Sequence, residues 1–411
     1  MDLEKLLAKS LSARQLSLLH QIVEIATEER MPLYLVGGAV RDIVLNLPVT
    51  DIDLVVEGDA VTLSQLVSKK LSGTVRSYPQ FSTASLMVKG TRIDFARARK
   101  ERYLLPAALP AVVHGDISDD LKRRDFSINA MAISIDNHKG LEIIDMHNGL
   151  QDIENKVIRI LHSESFSDDP TRMLRGIRYE QRLGFSFDKY TENSISDHLP
   201  LLSHVSGERL MKEIEKWYYE EDPCKVICRA DDLQILSSLH KSLYGIGPQL
   251  KAILQTNKPI HLDHTVWLGL MFHRLSLNQI SEIESTLKFS KEQRNLIYEV
   301  LELYQIHKAL SDKRIEDREL YKLLCNSSTK SVEVHICLAR NNALRENLMR
   351  FVSTLRHVKP IITGNEILNM GIVKSPLIGT ILDSIRDARL DGLITQKQEE
   401  VDFVINNYLK K

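Results

Sequence analysis

The sequence predicts an α+β fold, in which an N-terminal unit of mixed strands and helices precedes a long all-helical remainder. Three observations lead to this prediction. Short apolar strand patterns alternate with helical patterns up to about residue 150. From about residue 165 onward, apolar residues recur at helical spacing and strand patterns are almost absent. A chain of 411 residues is also too long for one core. We expect three segments, 1–150, 151–225 and 226–411.

The N-terminal unit divides into elements that glycine and proline separate. Ser12 is a suitable N-cap for a helix over 12–30, and Pro32 ends that helix. The pattern predicts further helices over 40–47 and 61–71, strands over 33–36, 52–56, 84–89 and 91–96, and two last elements over 126–135 and 141–145. Residues 100–116 contain Pro106, Pro110 and Gly115, which predict a loop.

Composition argues against membrane and secreted proteins. The hydrophobic share is 43% and the charged share is 27%, as in soluble globular proteins. No apolar stretch approaches the roughly 20 residues of a membrane span, and residues 1–9 do not resemble a secretory signal. The four cysteines lack nearby histidines at zinc-site spacing, so we expect them to be reduced. We therefore expect a cytoplasmic protein that does not act at a membrane.

The formal net charge of −1 does not exclude nucleic acid as a partner, because charge is distributed unevenly. Between Lys89 and Arg124 there are nine Lys or Arg residues against five Asp or Glu. These basic residues lie beside the motifs described next.

The first candidate site is the turn Gly37-Gly38-Ala39-Val40-Arg41-Asp42, between a predicted strand and a predicted helix. Glycine lets the backbone approach a ligand closely, and a helix N-terminus favours anions. Arg41 adds a bidentate phosphate donor. Gly37, Gly38 and Arg41 therefore suit a triphosphate, although ordinary tight turns also use glycine.

The second is the pair Asp51 and Asp53. Alternate residues of a strand face one side, so both carboxylates share a face, while Ile52, Leu54 and Val56 share the other. Two such carboxylates repel each other, and a hard dication such as Mg²⁺ offsets this repulsion. A solvated strand edge is the alternative, but the apolar residues that follow are typical of a buried strand.

The third is Arg123-Arg124-Asp125-Phe126-Ser127-Ile128-Asn129. A guanidinium suits phosphate oxygens, and asparagine suits a ribose hydroxyl or a base edge. Asp125 and Asn129 have the spacing of two residues on one side of a helix turn. Taken alone, Arg-Arg-Asp is more often a solvated run of charge.

The fourth is Asp168-Asp169-Pro170-Thr171-Arg172, which continues into a predicted helix. Asp169 is a suitable N-cap, and Pro170 suits the first helical position. At 100° per residue, four arginines fall within an arc of about 120°; they are Arg172, Arg175, Arg178 and Arg182. Unpaired like charges on one face cost stability, which an anionic ligand would offset. A solvated basic face is the alternative.

In this order the four segments resemble the class II tRNA nucleotidyltransferases, the CCA-adding enzymes, which are related to bacterial poly(A) polymerases and more remotely to DNA polymerase β. The resemblance is strong over 30–185, looser over 190–245, and returns at 362–367 and 390–392. It implies a polymerase β-like nucleotidyltransferase head, 1–150, then a helical neck, 151–225, and a body and tail, 226–411.

The resemblance also implies an activity: addition of C and A from CTP and ATP to the 3′ end of tRNA, with release of pyrophosphate. The helical remainder would hold the acceptor end, acceptor stem and elbow of the tRNA. Asp51 and Asp53 would bind Mg²⁺ and carry the catalysis. The nucleotide would be bound by the other motif residues: Gly37, Gly38, Arg41, Arg124, Asp125, Asn129, Asp169, Arg172, Arg175 and Arg178. Among these, Asp169 and Arg172 would pair with the base.

Some positions depart from the family pattern. Asp168 stands where the family usually has Glu, and Ser127 where it usually has Thr. Residues 99–115 resemble the family's flexible loop, which helps to switch selection from C to A. His261, His264 and His273 lack the His-Asp order of a metal phosphohydrolase, so we interpret them as ordinary helix histidines.

Several alternatives stay open from the sequence. The enzyme could add only A or only CC, or it could be a poly(A) polymerase. A non-catalytic RNA-binding protein is the alternative outside the enzyme class.

Overall fold

The structure, a computed structural model, describes residues 2–136, 140–256, 263–311 and 315–409. The chain divides into two compact units, Met1–Tyr244 and Gly245–Lys411. The first contains the sheet and the second contains helices, so the predicted α+β class is confirmed. The segment boundaries expected at 150 and 225 stay predictions.

The first unit is organised around a mixed sheet. Its strands are β1 (Leu33–Val36), β2 (Ile52–Val56), β3 (Thr74–Tyr78), β4 (Thr83–Val88), β5 (Thr91–Arg97), β6 (Arg99–Arg102), β7 (Ala111–His114), β8 (Met131–Asp136), β9 (Gly140–Asp145), β10 (Val157–Ile158) and β11 (Ser186–Phe187). Seven described strands form the sheet in the order β3-β4-β5-β2-β1-β8-β9. The neighbours β2 and β5 run parallel, and the other neighbours run antiparallel.

Helices surround this sheet and continue beyond it. They are α1 (Leu3–Ser10), α2 (Ala13–Glu28), α3 (Gly38–Val44), α4 (Ala60–Leu71), α5 (Ile117–Lys122), α6 (Gly149–Glu154), α7 (Ser165–Asp168), α8 (Thr171–Leu183), α9 (Lys189–His198), α10 (Gly207–Tyr218), α11 (Pro223–Asp232) and α12 (Ile235–Leu239). Short 3₁₀ turns occur at Pro79–Phe81, Ser127–Asn129, Leu199–His204 and Lys241–Leu243. Ser12 caps α2 as predicted, in a reciprocal arrangement with Gln15.

The second unit consists of helices. They are α13 (Ile246–Thr256), α14 (His264–Phe272), α15 (Leu277–Thr286), α16 (Lys291–Gln305), α17 (His307–Ser311), α18 (Asp317–Leu324), α19 (Thr329–Leu338), α20 (Asn342–Ser353), α21 (Gly364–Asn369), α22 (Leu377–Leu390) and α23 (Lys397–Val404). A 3₁₀ turn at Leu355–His357 lies between α20 and α21, and a π-helical turn at Ile405–Leu409 follows α23. His273 is buried with its Nδ1 2.7 Å from the Leu270 carbonyl oxygen, and His261 lies outside the described residues.

One packing contact positions the candidate site. Helix α5 buries Ile117 and Leu121 on the sheet face that presents Val55 of β2. Asp53 shares that face, because alternate residues of a strand point the same way. The end of α5 therefore brings Arg124 close to the carboxylate of Asp53 on β2.

The loop predicted over 100–116 is wrong in part. β6 and β7 pair antiparallel, with Arg99 opposite His114 and Arg102 opposite Ala111. β6 has the sequence Arg-Lys-Glu-Arg, whose uniform polarity hides the alternation that marks a strand. The residues between the two strands remain irregular, as the prolines predict.

Within the described ranges, no helix is both long and apolar enough to cross a bilayer. Cys224, Cys228, Cys325 and Cys337 form no disulfide with one another.

Candidate active site

A cavity of about 590 Å³ opens in the first unit. It brings together every site residue predicted from the sequence, from the glycine turn, β2, the segment after α5 and helix α8. Nine arginines and six acidic side chains line it, so the cavity is suited to an anionic ligand. The individual roles assigned to these residues stay predictions.

Gly37 provides space for an arginine. Its φ is +68°, which favours glycine, and a Cβ built there would lie 2.7 Å from Nη1 of Arg124. The Gly37 N–H donates to the Met131 carbonyl at 3.3 Å. The sequence suggested that this turn brings the backbone to a ligand, whereas at Gly37 it makes room for the Arg124 guanidinium.

Arg41 is buried and already well partnered. It donates through Nη1 to Oδ1 of Asn129 at 2.8 Å, and through Nε and Nη2 to Asp42. The Nδ2 of Asn129 donates to Asp125 at 3.1 Å. Both polar ends of the Asn129 side chain are therefore engaged, and Asn129 links the glycine turn to the Arg-Arg-Asp segment.

The carboxylates of Asp51, Asp53 and Asp94 lie close enough for Asp51 and Asp94 to disfavour the charged form of Asp53. Asp53 lies on β2, and its partner in the parallel pairing is Asp94 of β5. Burial, with the nearby Asp94 and Asp51, raises the pKa of Asp53 to about 6, against the opposing influence of Arg124 and Arg92. Asp51 is exposed at the start of the strand. A cation between these groups would relieve the repulsion.

The donor chemistry fits a hard dication. Carboxylate oxygens are its preferred ligands, and Mg²⁺ is often held by one or two carboxylates together with substrate phosphates. Among the described residues, no group of three or more His, Cys, Asp or Glu side chains is placed to hold a metal ion alone. A dication held by Asp51 and Asp53 would therefore take its remaining ligands from substrate oxygens or water.

Helix α8 lines the cavity with arginines, as its predicted arc requires, but they are not unpaired. Arg175 donates to Asp125 at 2.8 and 2.7 Å. Arg178 and Arg182 both contact the buried carboxylate of Glu220, at 3.4 and 2.5 Å. From the sequence, an anionic ligand or solvent was expected to offset their repulsion, whereas in the structure acids distant in sequence share that task.

Three of the cavity arginines also surround one aromatic ring. The guanidinium carbons of Arg41, Arg175 and Arg178 lie 5.4, 5.6 and 4.9 Å from the centre of the Tyr179 ring. Cations at this distance from a ring face are attracted to it. Tyr179 therefore helps to hold three positive charges in one place.

Asp169 presents one free oxygen. Its Oδ1 accepts from the Thr171 N–H at 3.0 Å, the Thr171 hydroxyl at 2.6 Å and Arg209 at 2.8 Å. No hydrogen bond from a described residue reaches Oδ2. Three donors thus orient the carboxylate and leave one acceptor.

Arg172, one turn along, has one guanidinium nitrogen without a partner in the described part of the chain. Its Nη2 donates to the Arg123 carbonyl at 2.8 Å, whereas its buried Nη1 has no partner among the described residues. Asp168 lies outside the cavity lining, with its carboxylate 3.8 Å from His162. Asp169 and Arg172 therefore combine an oriented acceptor with a fixed donor.

Sequence reasoning missed several lining residues. Glu101 accepts from Arg99, from the Tyr103 hydroxyl and from Arg123, which ties the β6–β7 hairpin to the end of α5. Arg209 reaches the cavity from α10. No local spacing marks their long-range contacts, because Glu101 and Arg123 are 22 positions apart and Arg209 and Asp169 are 40 positions apart.

Comparisons with known proteins agree with this geometry. The family model described as "Poly A polymerase head domain" matches residues 33–159. A second model, described as "Probable RNA and SrmB- binding site of polymerase A", matches residues 184–245.

The chain is similar to an A-adding tRNA nucleotidyltransferase of Halalkalibacterium halodurans, with 32% identity over 98% of this chain and 95% of that protein. A longer A-adding relative, from Geobacter sulfurreducens, is 30% identical, and the chain spans 48% of its length. A CCA-adding enzyme of Lactobacillus johnsonii is 26% identical over 91% of this chain and 93% of that one.

A solved complex of a CCA-adding enzyme with ATP shares the fold. The TM-score is 0.79 at 28% identity, and the match covers 100% of this chain and 99% of that one. The likeness therefore extends over both units, and the resemblance seen in the motifs is confirmed. With 32% identity to a curated relative along nearly its whole length, the chain belongs to the tRNA nucleotidyltransferases, a family that shares its head domain with poly(A) polymerases.

Proposed function

We propose that the protein adds C and A nucleotides from CTP and ATP to the 3′ end of tRNA without a nucleic-acid template, completing CCA and releasing pyrophosphate. The observation that carries the proposal is that Asp169 and Arg172, which line the same cavity as Asp51 and Asp53, each keep one polar atom, Oδ2 and Nη1, without a partner among the described residues.

This pair matches two of the four bases. Cytosine and adenine each present an amine donor beside a ring-nitrogen acceptor, whereas uracil and guanine present a carbonyl and a ring N–H. An acceptor at Asp169 and a donor at Arg172 therefore suit C and A and oppose U and G. The residues act in place of a template strand.

The phosphates would lie among the arginines. Arg124 and Arg178 both line the cavity, and their guanidinium groups would donate to phosphate oxygens there. Asn129 and Asp125 are engaged with protein partners, so we assign them the task of holding Arg41 and Arg175 in place. Gly37 would leave room for the Arg124 guanidinium, and Gly38 lies beside that of Arg41.

Asp51 and Asp53 would hold Mg²⁺ together with the nucleotide phosphates. When bound, the metal supplies Lewis-acid activation of the tRNA 3′-hydroxyl and charge stabilisation for the departing pyrophosphate. The residues of the chain hold the nucleotide in line with that hydroxyl and exclude competing bases.

The helical remainder would hold the tRNA. The model that matches residues 184–245 is described as an RNA-binding site, which supports this part of the proposal. Proteins recognise RNA duplexes mainly through shape and phosphates, so binding should weaken steeply with salt. A cytoplasmic location and recognition of the acceptor stem and elbow remain predictions.

A second candidate is addition of the terminal A alone. The relatives from Halalkalibacterium halodurans and Geobacter sulfurreducens, both named A-adding, are more similar in sequence than the CCA-adding relative from Lactobacillus johnsonii. Both activities use the same acceptor and donor pair, because C and A present the same pattern. The choice between them therefore depends on which tRNA end is accepted.

One experiment separates the candidates. tRNA transcripts ending before CCA, after C and after CC are incubated with CTP, ATP or both, and the 3′ ends are sequenced. Completion of all three ends supports CCA addition, whereas extension of the CC end alone supports A addition. Long A tracts would indicate a poly(A) polymerase.

Two sets of variants test the site. Asp51→Ala and Asp53→Ala should abolish incorporation with the fold intact, and an active double variant would refute the catalytic assignment. If the double variant Asp169→Ala with Arg172→Ala still rejects UTP and GTP, the base-reading assignment is wrong.

A further inference from the structure

Arg209 connects two parts of the cavity that sequence reasoning treated separately. It projects from α10, 40 residues beyond Asp169, and lines the cavity with the predicted site residues. Its Nη2 donates to Oδ1 of Asp169 at 2.8 Å, and its Nη1 donates to the Ala107 carbonyl at 3.3 Å. One guanidinium thus bonds both to the base-reading carboxylate and to the segment between β6 and β7.

That segment is fastened at Ala107. The Ala107 N–H donates to the Ser167 carbonyl at 2.8 Å, while its own carbonyl accepts from Arg209. Ala107 is buried, whereas Leu105 and Leu109, on either side of it, are 69% and 77% exposed. Its φ of +61° is unfavourable for alanine, and such a conformation persists where surrounding contacts hold it.

The bond from Arg209 also determines which oxygen of Asp169 is free. Thr171 supplies the other two donors to Oδ1, and it lies only two residues beyond Asp169, at the start of α8. Arg209 is the donor that arrives from another element. Without it, the carboxylate can rotate more freely, and the acceptor offered to the base is less well placed.

We propose that Arg209 is a positioning residue that orients Asp169 for base selection and makes this orientation depend on docking of the 103–110 segment at Ala107. The inference rests on the proposed function. Removing the Arg209 guanidinium or undocking the 103–110 segment frees the Asp169 carboxylate to rotate. Both changes therefore weaken discrimination between bases through Asp169.

The test measures discrimination with a tRNA transcript ending in CC, which suits either candidate function. The ratio of kcat/KM for ATP to that for GTP is determined, because adenine presents an amine where guanine presents a carbonyl. Arg209→Ala should lower this ratio by about tenfold or more, as expected for one charged hydrogen bond. A merely structural role would lower incorporation of both nucleotides alike and leave the ratio unchanged.

A second variant tests the docking. Ala107→Pro removes the N–H that bonds to Ser167 and excludes the positive φ, so it should undock the segment and lower the same ratio. Leu105→Ala trims an exposed side chain of that segment and should keep the wild-type ratio. The double variant Arg209→Ala with Ala107→Pro should have an ATP:GTP ratio no lower than that of the more affected single variant, because both changes act through Asp169.

The outcomes distinguish failure of the proposed function from failure of the role given to Arg209. A wild-type protein that adds no ATP to this tRNA overturns the proposed function and the inference with it. If the wild-type protein selects ATP over GTP but its Arg209→Ala or Ala107→Pro variant keeps the same ATP:GTP ratio, the inference alone is overturned. The inference is also overturned if the decreases of this ratio in the two single variants multiply in the double variant. If Arg209→Ala fails to fold, Ala107→Pro still decides, since it leaves α10 intact.

Discussion

The carboxylate of Asp125 accepts two hydrogen bonds from the guanidinium of Arg175, at 2.8 and 2.7 Å, across 50 residues of chain. Its other oxygen accepts from the Phe126 N–H and from Asn129. This pair joins the Arg-Arg-Asp segment to helix α8. The wall of the cavity is therefore held together by internal charges.

Asp125→Asn should destabilise the protein by about 2 kcal/mol, because the substitution leaves Arg175 with a neutral partner. Denaturant unfolding measures this loss. Asp383→Asn is the matched control, since Asp383 pairs with Arg386 at 2.7 Å on the surface, where such a pair contributes less than about 1 kcal/mol. Equal losses in the two variants would contradict the structural role of Asp125.

The same pair predicts a loss of stability in acid. Although burial alone would raise it, Arg175 and Asn129 lower the pKa of Asp125 to about 2, below the value of about 3.9 in an unfolded chain. The stabilisation is therefore fully present above about pH 4 and is lost as the pH falls towards 2. Unfolding free energies of wild type and Asp125→Asn should converge over this interval, and parallel curves would count against the prediction.

Asp53→Asn should stabilise the metal-free protein while abolishing nucleotide incorporation. Burial and the neighbouring Asp94 and Asp51 disfavour the charged form of Asp53, so at pH 7.5 its ionisation costs about 1–3 kcal/mol. The exposed Asp51 is the control: Asp51→Asn should also abolish incorporation but change stability by less than about 0.5 kcal/mol. Thermal unfolding with excess chelator distinguishes the two, and a destabilised Asp53→Asn would rule out this account.

Gly37→Ala should impair nucleotide incorporation through Arg124. The new Cβ would approach Nη1 of Arg124 to 2.7 Å, in addition to the strain of alanine at φ +68°. Gly90→Ala is a matched control, since Gly90 has a φ of +81° and no atom within 4 Å of a built Cβ. Both variants should lose about 1 kcal/mol of stability from the backbone. Only Gly37→Ala should raise the KM for ATP, and an unchanged KM would contradict the role given to Arg124.

Glu220→Gln should also raise the KM for ATP. Glu220 holds Arg178 and Arg182 through one buried carboxylate, so both guanidinium groups lose their fixed positions in the variant. We expect an increase of about tenfold, as for a lost charged hydrogen bond. The adjacent Glu221 is exposed, and Glu221→Gln should behave as wild type. Steady-state kinetics with a CC-ended tRNA provides the measurement.

The sequence was most informative where the position of a side chain depends only on the local periodicity of a strand or helix. The alternation through Asp51 and Asp53 and the arc of arginines on α8 depend on residues within a few positions of one another. Periodicity alone was therefore enough to predict which side chains share a face, and the structure places them in one cavity. The strand β2 was predicted at its observed limits for the same reason.

What the sequence missed depends on distant pairing. Glu220 and Arg209 lie 38 and 40 residues from their partners Arg182 and Asp169, so no local pattern reveals them. The charged strand β6 forms because β7 lies opposite, and strand formation without apolar alternation cannot be inferred from β6 itself. The sequence identified Gly37 as part of a turn at the site. Its contact with Arg124 could not be predicted, because Arg124 lies 87 positions further along the chain.

Every residue that lines the large cavity falls within Met1–Tyr244. The compact unit Gly245–Lys411 has its own buried clusters, one around Phe351 and another around Ile381. Mutations can therefore accumulate in this second unit during evolution without replacing any side chain of the chemical centre. Relatives that diverge there are free to acquire new substrates while inheriting the same reaction.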